Sequence, residues 1–280
     1  MEQGRARKRD RGSGQEIQTV KRLSRPGRGL PSPPPYRWLA QYYDIVFSTL
    51  RSPIDIARDR ILGPILPGIS SACDLACGTG TTALSLARRG IRMFAVDLSP
   101  GMCRAAREKA VHEGLPVKVL CADMRTFDLP EPVDLITCEG DALNHVPRKS
   151  DLRLVAKAVA RAVKPGGWFF FDINNRSGFK RYWTGVFWIE KPGIVVAMRN
   201  GNDYRRDRAW CDVEWFVRER TLWRRHHERV EEVCWSRDEI RSAMRAAGFD
   251  RLRAFDAAPF FNDDMIRPGC RTTYLARKAG

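Results

Sequence analysis

The chain has 280 residues, 43% of them hydrophobic, which suffices for one large α/β domain or a domain with an appended lobe. No apolar run approaches the ~20 residues needed to cross a bilayer, and the basic start "MEQGRARKRDRGSGQ" lacks the apolar stretch of a secretory signal. A formal net charge of +16 favours anionic partners electrostatically, but the basic residues are spread along the chain rather than gathered on one helix, which points to arginine-rich composition instead.

Residues 1–35 combine charge runs with Gly, Ser and Pro and cannot bury enough apolar surface to offset chain entropy, so they read as a disordered tail. Order is expected from "YRWLAQYYDIVFSTL", where Trp38, Leu39, Tyr42, Tyr43, Val46 and Phe47 recur at helical spacing. From Ile69 the texture alternates. "SACDLAC", "RMFAVDL", "VKVLCAD", "VDLITCE" and "GWFFFDI" read as strands, with helices over Thr81–Arg89, Pro100–Glu113 and Lys149–Val163. Continuously apolar strands suit a parallel sheet covered on both faces, and right-handed crossovers then give a doubly wound sheet.

After Arg181, "GIVVAMR", "RAWCDVEWFV" and "TLWRRHHERVEEVCW" look like antiparallel strands forming a lid or sheet extension. A helix "SRDEIRSAMRAAGF" follows, with Ser236 and Glu239 as a capping box and Gly248 as its stop. Two further strands, "FDRLRAFDAAPF" and "CRTTYLARK", complete the chain. The expected division is a tail at 1–35, a Rossmann-like core at 36–180, an antiparallel insertion at 181–235 and a closing segment at 236–280. The eight cysteines form no C-x-x-C pair, so a zinc ribbon has no support. Cys73, Cys121 and Cys138 read as buried thiols in a reducing, cytoplasmic setting.

The stretch Gly78-Thr79-Gly80-Thr81-Thr82-Ala83 fits a loose dinucleotide turn, where glycine admits close approach of a ligand to the backbone. Asp74 just before it suits an ammonium or sulfonium better than a pyrophosphate. Asp97 ends the second strand, where a carboxylate can accept both ribose hydroxyls; Ser99 is the better cap for the helix that follows. Asp123 follows the third strand, where it can accept from an adenine amino group while Met124 covers the ring; an Asx-turn is the structural alternative.

In order, "DLACGTG", "AVDLSPGM", "CADMR", "VDLITCEGDALNHV" and "AVKPGGWFFFDIN" resemble the motif series of the Rossmann-like (class I) S-adenosylmethionine-dependent methyltransferases, most closely the small-molecule branch with glycine/sarcosine and amino-sugar N-methyltransferases. The resemblance implies an α/β fold: a doubly wound, mostly parallel seven-stranded sheet with helices on both faces, plus an antiparallel β insertion. It implies S-adenosyl-L-methionine as cofactor, with Asp74 and Gly78 at its methionine end, Asp97 at the ribose, Asp123 and Met124 at the adenine, and Met102 nearby. The resemblance further implies that Tyr43 closes over the cofactor and that Ala76, Gly80, Leu98 and Glu139 complete the set. Asp141, Asn144 and His145 at the crevice mouth are candidates to orient the nucleophile or take its proton. His226 joins them from "RRHHERVEE", where alternation sends His226 and Glu228 to one face and His227 and Arg229 to the other; a solvated charge ladder is the alternative. No metal site is expected, because His226 and His227 have no further ligand at zinc spacing.

The function implied is methyl transfer to an N or O atom of a small-molecule acceptor by in-line displacement. An RNA or protein acceptor and a non-catalytic cofactor-binding role are the alternatives. Cys138-Glu139-Gly140-Asp141 lacks the D/N-P-P-aromatic signature of exocyclic-amine nucleic-acid methyltransferases.

Overall fold

The computed structural model describes residues 40, 42–260 and 266–280, with backbone alone for 48–53. The tail expected at 1–35, and Trp38 and Leu39, lie outside these residues. Helix α1 (Tyr43–Leu62) leads into β1 (Ser71–Leu75), α2 (Thr81–Ala87), β2 (Arg92–Asp97), α3 (Pro100–His112), β3 (Val117–Cys121), β4 (Val133–Cys138), α4 (Lys149–Ala162) and β5 (Val163–Asn174). Then follow α5 (Arg176–Tyr182), β6 (Gly185–Lys191), β7 (Ile194–Asp203), β8 (Arg208–Glu219), β9 (Leu222–Val233), α6 (Arg237–Ala246), β10 (Phe249–Asp256) and β11 (Arg271–Lys278).

The first sheet has seven strands in the order β10-β11-β5-β4-β1-β2-β3. β1 pairs in parallel with both β2 and β4, so the strand order reverses there and opens a crevice at the carboxyl ends. Only β11 runs antiparallel to its neighbours β5 and β10. All five residues of β1 are buried, as the unbroken apolar run requires of a central strand covered twice. One face packs Leu152, Val155 and Val159 of α4 and Ile240 and Met244 of α6 over Phe169 and Phe171. The other packs Leu62 of α1, Leu86 of α2 and Ala106 of α3 over Ala72, Ala95 and Leu135. Burying each Phe or Leu in these layers contributes about 1.5–3 kcal/mol.

The second sheet, β6-β7-β8-β9, is antiparallel. Its inner face carries Ile194, Val196, Val213, Trp215 and Val230, as the alternation in β8 implies, and packs on Val46 of α1 and Met102 of α3. Sequence reading missed β6: it is the edge strand, Val186, Phe187 and Trp188 are all exposed, and so no buried/polar alternation announces it. The short helix α5 was missed too. The capping box is present at Ser236 and Glu239. One expectation fails: Cys121 is exposed while Cys73 and Cys138 are buried, because β3 is the sheet's other edge.

Candidate active site

The glycine turn is shaped by three left-handed residues, Ala76, Gly78 and Gly80. A Cβ on Gly80 would stand 3.0 Å from Ala106 Cβ, so the close approach of α2 and α3 requires glycine. At Gly78 a Cβ would meet nothing within 4 Å, so that side of the turn is open. The Gly78 N–H donates to Asp97 Oδ2 and the Ser99 N–H to Asp97 Oδ1, both at 2.8 Å. Burial pushes the Asp97 carboxyl up while these N–H groups oppose the shift. Ser99 caps α3 by accepting from Met102 N–H, as expected, which leaves Asp97 to the crevice. Leu98 is exposed and Met102 is buried.

Helix α1 is laced onto this turn. Thr79 Oγ1 donates to Asp44 Oδ1 at 2.6 Å, Lys109 pairs with Asp44, and neighbouring Tyr43 packs with Phe47 against the cluster holding Met102. Farther along, Arg58 is 1% exposed and pairs with Asp55, Asp59 and Glu139. Thr82 donates to the same Glu139 carboxylate at 3.0 Å. Arg58 interrupts the apolar face of "IDIARDRIL", and a charge at a core position was the signal available for it.

Two expected contacts take another form. Asp74 is 2% exposed and accepts from Thr137 Oγ1 at 2.9 Å, so it underlies the turn rather than lining its open side. Asp123 forms the Asx-turn, accepting from Arg125 N–H at 2.8 Å, and pairs with the Arg125 guanidinium, whose bonds hold its carboxyl below the usual range. Its adenine-facing role requires Arg125 to share that carboxylate. Met124 is half-buried against the core.

At the crevice mouth, β4 runs into a turn in which Gly140 and Asp141 are left-handed. Asp172 of β5 stabilises it by accepting from Gly140 N–H at 2.9 Å and Asp141 N–H at 3.1 Å. Arg271, at the start of β11, pairs with Asp172 and lies 3.7 Å from Asp141. Asn174 donates to Asp141. Burial raises the Asp141 carboxyl to about 6, Arg271 opposing and Asp172 reinforcing the shift. His145 follows in the turn Ala142–His145; its Nε2 lies 3.8 Å from Glu232 of β9, and burial lowers its pKa to about 4. Glu232 is pushed well up by burial and then by Asp141. Asp141, His145 and Glu232 offer ligand atoms all within 4.8 Å of one another, a grouping that could hold a cation. In this structure Arg271 supplies the positive charge beside it.

Asn144 is 0% exposed, and its amide is spent on the scaffold: it donates to the Asn174 and Val233 carbonyls and accepts from Asn174 N–H. That saturation corrects the expectation of a catalytic Asn144. It ties β5 to β9 and thereby holds the second sheet against the first.

His226 and Glu228 occur on the inner face of the second sheet, opposite Trp215 and Val213. Trp215 is 1% exposed, and its indole N–H has no acceptor among the described residues. The other face is the charge ladder: His227 and Arg225 on Glu214, Arg229 on Asp212 and Glu231. Sequence reading missed Arg58, Asp172, Glu232 and Arg271.

The open side of Gly78, the Asp97 carboxylate tied to the turn and the buried Met102 fit an adenosine-bearing cofactor such as S-adenosylmethionine. Residues 72–167 match the family model described as a methyltransferase domain. The chain is 34% identical over 248 residues to the putative methyltransferase YqeM of Bacillus subtilis, covering 87% of this chain and 97% of that one. It is also 34% identical over 135 residues to the ubiquinone biosynthesis O-methyltransferase of Chromobacterium violaceum; that match covers 48% of this chain and 56% of the relative, so the chain spans about half of that protein's length. The solved S-adenosylmethionine-dependent methyltransferase from Clostridium acetobutylicum superposes with a TM-score of 0.74 at 26% identity, over 88% of this chain and 99% of that one.

Proposed function

The chain belongs to the S-adenosylmethionine-dependent methyltransferases, and on that footing we propose that it methylates a nitrogen or oxygen of a small acceptor held between the ends of β4 and β5 and the inner face of the second sheet. One observation carries this reading. The inner face of that sheet, Met102 of α3 and Val46 of α1 form a single apolar cluster. The cofactor end is thereby roofed over, which suits a compact acceptor better than a macromolecule. No described helix is long and apolar enough to cross a membrane.

Gly78, Gly80, Asp97, Leu98 and Met102 would hold the cofactor, with Tyr43 above it and Asp123 and Met124 at the base. When bound, the cofactor supplies a methyl group on a cationic sulfur. The protein's share is alignment and proton handling. With its pKa near 4, the His145 imidazole is neutral at physiological pH, able to orient an acceptor N–H or O–H and to take the proton of a hydroxyl that becomes strongly acidic as its oxygen is methylated. Glu232 lies 3.8 Å from its Nε2 and can share a hydrogen-bonded proton with it. The buried Trp215 N–H, which has no acceptor among the described residues, is assigned to a polar group of the bound substrate. Incubating the protein with methyl-labelled cofactor and a metabolite extract tests the reading: label is expected in a dialysable product, and label retained only in RNA or protein would contradict it.

A further inference from the structure

The basic residues that look scattered along the chain are gathered by the fold. On α4, Lys149, Arg153, Lys157 and Arg161 recur every fourth residue, and on α6 Arg237, Arg241 and Arg245 do the same; all seven are exposed. The two helices lie side by side. Their opposite faces bury Leu152, Val155, Ile240 and Met244 in one core. Lys149 reaches Glu239 at 2.6 Å, joining their first turns. Their last turns meet the end of β11, where Lys278 Nζ donates to the Ala160 and Val163 carbonyls and Ala279 N–H to Gly248. The stripes therefore run parallel, with steps of ~6 Å along each helix and axes ~8–10 Å apart.

Helix stability does not call for such stripes, since like charges four residues apart cost about 0.2–0.5 kcal/mol per pair. Their regularity sets them apart from the other basic residues, since every fourth position is basic on two adjacent helices. Elsewhere on the surface some basic residues are matched, Arg88 with Glu113, Arg92 with Glu131, Arg225 with Glu214 and Arg229 with Asp212, while others such as Arg104, Arg199 and Arg251 stand singly among the described residues. Arg153, Lys157, Arg161 and Arg245 have no ion pair among the described residues, and the three acids on these helices are engaged, Asp151 by Arg125, Glu239 by Lys149 and Asp238 by Arg241.

We infer that the paired stripes of α4 and α6 form a docking surface for the phosphate backbone of a nucleic-acid duplex, recognised by charge and not by base sequence. Two rows at this separation match the two phosphate rows that border a groove ~6–12 Å wide. Arginine in such rows binds phosphate in bidentate fashion. Neither helix carries an aromatic residue, so there is no platform for stacking the bases of a single strand. Leu154 is the one large hydrophobic side chain exposed on these helices, too little apolar surface to anchor a protein partner or a bilayer. The inference does not depend on which acceptor the crevice methylates.

The test uses the full chain and short fluorescein-labelled DNA and RNA duplexes of arbitrary sequence, followed by anisotropy across a salt series. The variant Arg153→Gln/Lys157→Gln/Arg161→Gln/Arg245→Gln is expected to lose roughly 10–100-fold in affinity at low salt, and its log K against log salt slope to flatten by about 3. A control with equal charge removed from the second sheet, Arg199→Gln/Arg218→Gln/Arg220→Gln/Arg224→Gln, is expected to lose less than about threefold. Unchanged cofactor affinity in both variants verifies their fold. The inference is overturned if the native chain binds neither duplex, if both variants lose affinity equally, or if only anionic vesicles or polyglutamate respond to the α4/α6 changes.

Discussion

At the proposed cofactor end of the crevice, Asp97 and Asp123 stand at or just beyond the ends of their strands and are held by backbone N–H groups close by. Asp97 accepts from Gly78 and Ser99, and Asp123 from Arg125 two residues on. At the acceptor end, Asp141, Asp172, Glu232 and Arg271 arrive from four distant segments and hold one another by buried charge. The first arrangement is cheap and local. The second is costly on both sides, because a buried ion loses its hydration and is tolerated only while its partners stay in place. The cofactor site is therefore expected to tolerate change outside its own turns, whereas the acceptor site depends on closure of the whole chain through β9 and β11.

The largest expected consequence is at Arg271. Arg271→Met leaves Asp172 and Asp141 buried without their cation, which is expected to cost about 3–5 kcal/mol. Urea unfolding measures it. The deficit should shrink as pH falls, since the stranded carboxyls then protonate, and a loss under 1 kcal/mol would place the cluster with ordinary surface pairs. Next is Asp97→Ala. It removes the acceptor of two N–H groups and the proposed ribose partner, so cofactor affinity should fall by roughly a hundredfold while unfolding stays cooperative. Calorimetry with unchanged affinity would remove Asp97 from the site.

These two residues also mark what the sequence made legible. Gly78, Gly80, Asp97 and the Ser236–Glu239 box were readable because their partners are a few residues away, or one strand away in a regular α/β repeat. Arg271 was not, because nothing around "CRTTYLARK" points to Asp172, about a hundred residues earlier, and only the antiparallel pairing of β11 with β5 brings them together. Glu232 was hidden for the same reason: alternation sends it inward, but His145 reaches it only after the second sheet docks. Asn144 misled for a related cause. A buried amide in the turn beyond a strand suits catalysis and scaffolding alike until its partners are known.

Asp141 gives a smaller effect with a definite sign. Its folded pKa, about 6, lies above the usual carboxyl value, so its contribution to stability is fully present near pH 4 and lost as pH rises through about 6. Asp141→Asn should therefore melt higher than the native chain at pH 8 and together with it at pH 4. The reverse order would show that the ionised form is the favoured one. The smallest effect is at Ser236→Ala, which removes the capping box of α6 at a cost of about 1 kcal/mol without touching either end of the crevice.

The division between the two ends is tested most directly by His145→Asn, assayed in parallel for S-adenosylhomocysteine affinity by calorimetry and for methyl transfer with labelled cofactor. The expected result is a cofactor affinity within about twofold of the native chain and turnover reduced by roughly 10²–10³-fold. A parallel loss of both, or turnover unaffected, would contradict the assignment of proton handling to the acceptor end.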